Sequence, residues 1–180
     1  LDVLATAEFA RYGAYVAVPQ CPADEGVTWT ARLSPKAKVA QSDEPTEVMQ
    51  LVIELVDELV EELPIDPTRV YVAGLSMGGY GTWDLIVRRP NQFAAAAPIC
   101  SGADLSKAST IQHMPIWVFH GSDDDVVPAS HSREMVAALR KAGGTPIYTE
   151  FEGVGHNSWT RALENRLFWD WLFAQRGAGQ

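Results

Sequence analysis

The sequence predicts an α/β fold, a parallel sheet of about five strands flanked by helices. Short apolar runs alternate with amphipathic helical stripes from one end of the chain to the other. The runs are continuously apolar rather than alternating, as expected of strands buried on both faces. Neither internal repeats nor low-complexity stretches interrupt the alternation. Strands separated by helical segments form βαβ units, which pair in parallel and carry their helices on the sheet faces.

Leu1–Tyr12 carries Leu1, Leu4, Ala5, Glu8, Phe9 and Tyr12, a helical stripe closed by Gly13. Ala14–Val18, stopped by Pro19, reads as the first buried strand. Residues 20–41 form a long irregular connection with Pro22, Gly26, Trp29 and Pro35, and connections of that length are usually functional or disordered. Pro45–Leu63 is the clearest helix. Val48, Leu51, Val52, Leu55, Leu59 and Leu63 line one face, and Glu54, Asp57, Glu58, Glu61 and Glu62 line a solvated one. After a turn at Asp66-Pro67, Arg69–Ala73 is the second strand, and a helix runs from Met77 to Arg88, ended by Pro90. Ala94–Ile99 and Ile116–Phe119 are the third and fourth strands, Ser130–Lys141 a helix, Ile147–Phe151 the fifth strand and Arg161–Gln175 the closing helix. Functional residues in such a sheet lie beyond the carboxyl ends of the strands.

The 180 residues suit one domain over 1–180. A formal net charge of −9 argues against a nucleic-acid partner and against docking on an anionic membrane. No apolar run reaches the roughly 18–20 residues of a bilayer span. A secretory leader is not visible, yet the chain opens on Leu1 rather than Met, which fits a trimmed or processed start and leaves a secreted or periplasmic location open. Cys21 and Cys100 are too few for a disulfide scaffold and lack zinc-site spacing; both are expected as free thiols.

Gly74-Leu75-Ser76-Met77-Gly78-Gly79 stands where the second strand turns into a helix. In that context G-x-S-x-G is a nucleophile elbow: a strained turn projects the serine hydroxyl, and small residues on either side let the neighbouring backbone pass. The following helix points its first N–H groups at the serine, so the Met77 N–H is an expected oxyanion donor. A serine hydroxyl needs a base to take its proton, and in chain order the acid follows the serine and the base follows the acid. His113 and His120 precede the acidic cluster, and His131 follows it closely within a helical, solvated pattern. That leaves His156, in the turn-rich Gly153-Val154-Gly155-His156-Asn157-Ser158. The acid comes from Asp123, Asp124 or Asp125, between which spacing alone does not choose; three such neighbours lack the spacing of a calcium loop.

With these residues placed, the chain resembles the α/β-hydrolase esterases related to polyhydroxybutyrate depolymerases and feruloyl esterases, in the predicted peptidase and phospholipase/carboxylesterase group. The resemblance is carried by Val18-Pro19-Gln20-Cys21-Pro22, Ile65-Asp66-Pro67, Arg69-Val70-Tyr71, the segments 74–84, 97–102 and 120–128, and Gly153–Trp159. It implies Asp124 as the acid, with Asp125 as runner-up, and ester hydrolysis through an acyl-serine without metal or cofactor. One departure stands out: the family has an upstream strand ending in a His-Gly oxyanion loop, and nothing here corresponds to it. The chain is therefore expected to be N-terminally truncated or to close the gap. In a minimal five-stranded sheet Ala14–Val18 pairs directly with Val70–Ala73, which brings the Cys21 N–H forward as the second oxyanion donor.

The leading expectation is a serine carboxylesterase acting on a short-chain, aryl or polymeric ester. Trp29 and Trp159 are candidate substrate contacts and Trp83 lies nearby, although core packing explains each equally well. A serine peptidase is the second reading, because the same triad cleaves amides. A non-catalytic hydrolase-like domain lacking a full oxyanion hole is the third.

Overall fold

The computed structural model describes residues 6–24, 26–31 and 39–177. Four strands, β1 (Tyr71–Leu75), β2 (Ala95–Ile99), β3 (Trp117–Gly121) and β4 (Ile147–Phe151), pair in parallel in the order β1-β2-β3-β4. Ala73 lies opposite Ala97, Ile99 opposite Phe119, and Phe119 opposite Thr149. Every residue of β2 is buried, and Ala95, Ala96 and Ala97 are small enough for helices to close on both faces.

Side-chain alternation divides the core in two. Val72, Ala96, Val118 and Tyr148 face α2 (Glu47–Glu62), α3 (Met77–Arg88) and α4 (Ser130–Lys141), meeting Met49, Ile53, Trp83, Ile86, Met135 and Leu139. Ala95, Ala97, Ile99 and Phe119 face α1 (Ala7–Ala10), α5 (Trp159–Glu164) and α6 (Arg166–Ala174), meeting Phe9, Ala162, Phe168 and Leu172. The Thr46 hydroxyl caps α2 by accepting the Met49 N–H at 3.2 Å. Arg88, at the end of α3, donates to Asp84 one turn back at 2.7 Å and to the carbonyls of Ser42, Asp43 and Glu44 at 2.9, 3.0 and 3.1 Å. That clamp fixes the chain leading into α2. None of the helices in the described residues is long and apolar enough to cross a membrane.

The expected first strand is absent. Ala14–Val18 makes no ladder, and Tyr15, Val16 and Val18 are exposed. The reason lies in the anchors on either side. Phe9 and Tyr12 pack on the α6 face, with Tyr12 stacked on Phe173, whereas Cys21 and Trp29 pack on the α2–α3 face. The intervening residues lead from one face to the other without joining a ladder. An apolar run specifies compatibility with a sheet, not a partner, and β1 pairs only with β2 among the described residues.

Two helices also differ. Only the last turn of the expected Leu1–Tyr12 helix is seen, over Ala7–Ala10; residues 1–5 lie outside the described residues. The closing helix is two helices, broken at Asn165, whose side chain accepts the Leu167 N–H at 3.0 Å and caps α6.

Candidate active site

Ser76 separates β1 from α3 with φ 51° and ψ −116°, a backbone conformation that few non-glycine residues adopt. Its N–H donates to the Ile99 carbonyl at 3.0 Å, tying the turn to β2. A β-carbon on Gly74 would stand 2.2 Å from the Gly78 carbonyl oxygen, and one on Gly79 would stand 2.5 Å from Ser101 Oγ. A β-carbon on Gly78 would meet nothing within 4 Å. The steric need for glycine therefore falls on positions 74 and 79, not on the second glycine of the motif.

The turn after β4 brings His156 over this elbow. Ser76 Oγ lies 2.8 Å from His156 Nε2, and His156 Nδ1 lies 2.8 Å from Asp124 Oδ2. Of the three aspartates only Asp124 is buried, with Oδ1 accepting the N–H groups of Val126 and Val127 at 3.0 and 2.8 Å. Asp123 is exposed and takes the Ser122 hydroxyl, and Asp125 is exposed. The Nδ1 contact requires hydrogen on Nδ1, which leaves Nε2 bare to accept the serine proton.

Three neighbours of this row were not foreseen. His120, set aside on chain order, is buried with its Nε2 3.2 Å from Asp124 Oδ2. Its four-residue spacing from Asp124 at the end of a strand was the available signal. Cys100, at φ 43° just past β2, offers a thiol within the same 4.8 Å cluster as Asp124 and His156. Burial pushes that thiol up to about 12, against the opposing pull of the Ser76 N–H and the Ser158 hydroxyl. Metal binding needs a thiolate and free donors. Here the thiol stays protonated while Asp124 and His156 engage each other, so the trio is a poor ligand set. Tyr80, with its phenol likewise raised to about 12 by burial and by Asp124, lies 3.5 Å from Nδ1 of His131. His131 is therefore half-buried against the site rather than solvated.

The remaining expected residues separate. Met77, the first residue of α3, keeps its N–H in the unsatisfied first turn beside Ser76. Trp159 is half-buried and meets the His156 ring edge-to-face at 5.4 Å. Trp29 is instead a core residue, packed where a β-carbon on Gly81 would lie 3.0 Å from its Cβ and Cγ; an apolar ring without a wet face gains more there than at a mouth. Trp83 is buried in the same layer. The expectation of Cys21 as a donor rests on Ala14–Val18 pairing with β1, and that pairing does not form. Without that pairing nothing fixes its N–H beside Ser76, and its thiol points to the Val27 carbonyl at 3.8 Å. Cys21 and Cys100 are both free.

Residues 29–167 match the phospholipase/carboxylesterase family model. The chain is 40% identical to a thermostable esterase of known structure, with a TM-score of 0.86, the match covering 97% of this chain and 48% of that one. A bifunctional acetylxylan esterase/xylanase from Neocallimastix patriciarum is 41% identical over 83 residues, 46% of this chain and 12% of that protein. A poly(3-hydroxyalkanoate) depolymerase from Paucimonas lemoignei is 45% identical over 49 residues, 27% of this chain and again 12% of that protein. The chain thus corresponds to about half of the esterase and to a small part of each of these two relatives. With a family match that takes in most of its length, including the elbow serine, the aspartate and the histidine, the chain belongs to the phospholipase/carboxylesterase family.

Proposed function

We propose that the protein is a serine carboxylic-ester hydrolase working through an acyl-serine, with Ser76 as nucleophile, His156 as general base and Asp124 as the acid that orients it. The observation that carries this is the unbroken row of 2.8 Å contacts from Ser76 Oγ through His156 to Asp124 Oδ2. Ser76 Oγ attacks the ester carbonyl carbon while its proton passes to His156 Nε2. The tetrahedral oxyanion takes the Met77 N–H. Its collapse breaks the carbon–oxygen ester bond, and the alcohol leaves with the proton from His156. Water, deprotonated by His156, then attacks the acyl-serine and releases the carboxylic acid and free Ser76.

The names of the relatives, an acetylxylan esterase and a polyhydroxyalkanoate depolymerase, favour a short acyl ester or a hydroxyacid polyester over an amide. Trp159, half-buried against the base, offers an aromatic surface for such a substrate. The test is hydrolysis of p-nitrophenyl acetate beside a peptide p-nitroanilide, by the wild type and by Ser76→Ala. Ester turnover that falls by several powers of ten in the variant is expected. A variant keeping a tenth of wild-type rate, or faster peptide cleavage by the wild type, overturns the assignment.

A further inference from the structure

Deep behind the base lies a second histidine whose polar neighbours are all defined. His120, in β3, is wholly buried. Its Nδ1 is 2.7 Å from Ser132 Oγ on α4, and its Nε2 is 2.9 Å from the Val127 carbonyl oxygen and 3.2 Å from Asp124 Oδ2. Burial lowers the pKa of the ring, so it is neutral and carries one N–H. A carbonyl and a carboxylate can only accept, which puts that hydrogen on Nε2. Nδ1 is then left to accept from the Ser132 hydroxyl, which also has the Ser101 carbonyl oxygen 3.0 Å away.

Asp124 Oδ2 therefore takes the His156 Nδ1–H and lies 3.2 Å from His120 Nε2, whose one N–H has the Val127 carbonyl as its nearer acceptor at 2.9 Å, while Oδ1 holds two backbone N–H groups. We propose that His120 is a positioning residue of the hydrolase, its Nε2–H shared between the Val127 carbonyl and the same carboxylate oxygen that orients His156. The inference rests on the serine-hydrolase reading. A carboxylate stripped of water and paired with a single imidazole would hold the protonated base tightly and delay its return to the neutral form. A second neutral donor on Oδ2 spreads that charge and keeps the carboxylate in one rotamer. Ser132 and the Val127 carbonyl in turn fix the ring of His120.

Other ionisable groups lie around this row. Cys100 at the end of β2 and Tyr80 on α3 are both pushed up to about 12 by burial. Glu150 on β4 is held at about 2 by Arg133 of α4. Asp123 is exposed and bound to Ser122. His131 on α4 meets Tyr80, so His131→Gln serves as control.

The test follows two observables in His120→Leu, His120→Gln and Ser132→Ala. One is the pH profile of kcat/KM for p-nitrophenyl acetate, and the other is the histidine N–H spectrum of nitrogen-15-labelled protein. Wild type should show His120 as the Nε2–H tautomer. Removal of the donor in His120→Leu should move the acid limb of the profile up by about half a pH unit, about a threefold loss on the acid side, and displace the His156 Nδ1–H resonance. His120→Gln, whose amide N–H reaches the Nε2 position, should restore much of both. Ser132→Ala should shift both observables in the same direction by less, and it decides the matter if His120→Leu does not fold. An Nδ1–H or doubly protonated His120, or variants with the wild-type acid limb and an unmoved resonance, overturn the inference. Should no ester be turned over, the hydrolase reading falls on that result alone, and the spectrum still decides whether His120 donates to the carboxylate.

Discussion

A β-carbon on Gly121 would stand 2.2 Å from the carbonyl oxygen of Val154, so the end of β3 and the loop carrying His156 press backbone to backbone. The same Val154 carbonyl accepts the Asp123 N–H at 3.0 Å. This contact sets the distance between the loop that carries Asp124 and the loop that carries His156. Gly121→Ala must push the two apart. We expect a stability loss of about 1–3 kcal/mol from overpacking. A displacement on the order of 1 Å at His156 should lower kcat/KM by about 100-fold. Denaturant melts and p-nitrophenyl acetate kinetics read both, and wild-type values in each would refute the coupling.

Asp124 alone among its neighbours is buried and faces His156. Asp124→Asn should cost about 10³–10⁴ in kcat, because the amide favours the wrong imidazole tautomer. Asp123→Asn and Asp125→Asn should stay close to wild type. A comparable loss in either of those two would move the acid.

Arg88 and Asp84 form a largely buried pair at 2.7 Å, with side chains 12% and 5% exposed. Arg88→Met leaves the aspartate with Gln41 as its remaining side-chain donor at 2.9 Å and frees the carbonyls of Ser42, Asp43 and Glu44. Breaking such a pair should cost about 2–4 kcal/mol. Arg88→Lys should recover little, since one ammonium cannot span that fork. Urea unfolding measures it; a loss under half of the lower figure would show the clamp to be ornamental.

Glu150 is held at about 2, chiefly by hydrogen bonds from Arg133. A carboxylate depressed on folding contributes stability in full above its ordinary value of 4.5, and that contribution fades as pH falls through about 2. The stability difference between wild type and Glu150→Gln should therefore be constant near neutral pH and shrink toward pH 2. A difference that grows on acidification would reverse the sign and reject the pairing.

Much of the architecture is legible in local pattern. The helices Met77–Arg88 and Ser130–Lys141 and the strand Ile147–Phe151 have the expected limits, because Pro90, Gly143-Gly144 and the apolar stripes act within a few residues. That Ser76 and His156 meet is legible too, since motif context and chain order bring them together. What escaped the sequence depends on partners distant in the chain. Ala14–Val18 has the composition of a strand but no strand beside it. Trp29 reads in the sequence as a substrate contact or a core residue alike, and its place is set by the room that Gly81 leaves for it. Cys100 acquires its place only when the ends of β2 and β3 come together, which no local spacing reports, whereas His120 is tied to Asp124 by a four-residue spacing.

Ser76 at φ 51° and Cys100 at φ 43° strain the backbone at the carboxyl ends of adjacent strands. Such conformations cost about 1–3 kcal/mol each, and glycine relieves most of that. Ser76→Gly should consequently melt later than the wild type while losing its chemistry. A library of this gene sorted only for heat tolerance would accumulate glycine at position 76. Directed evolution toward ruggedness must therefore screen turnover in every round, because here the most durable molecule and the most active one are different sequences.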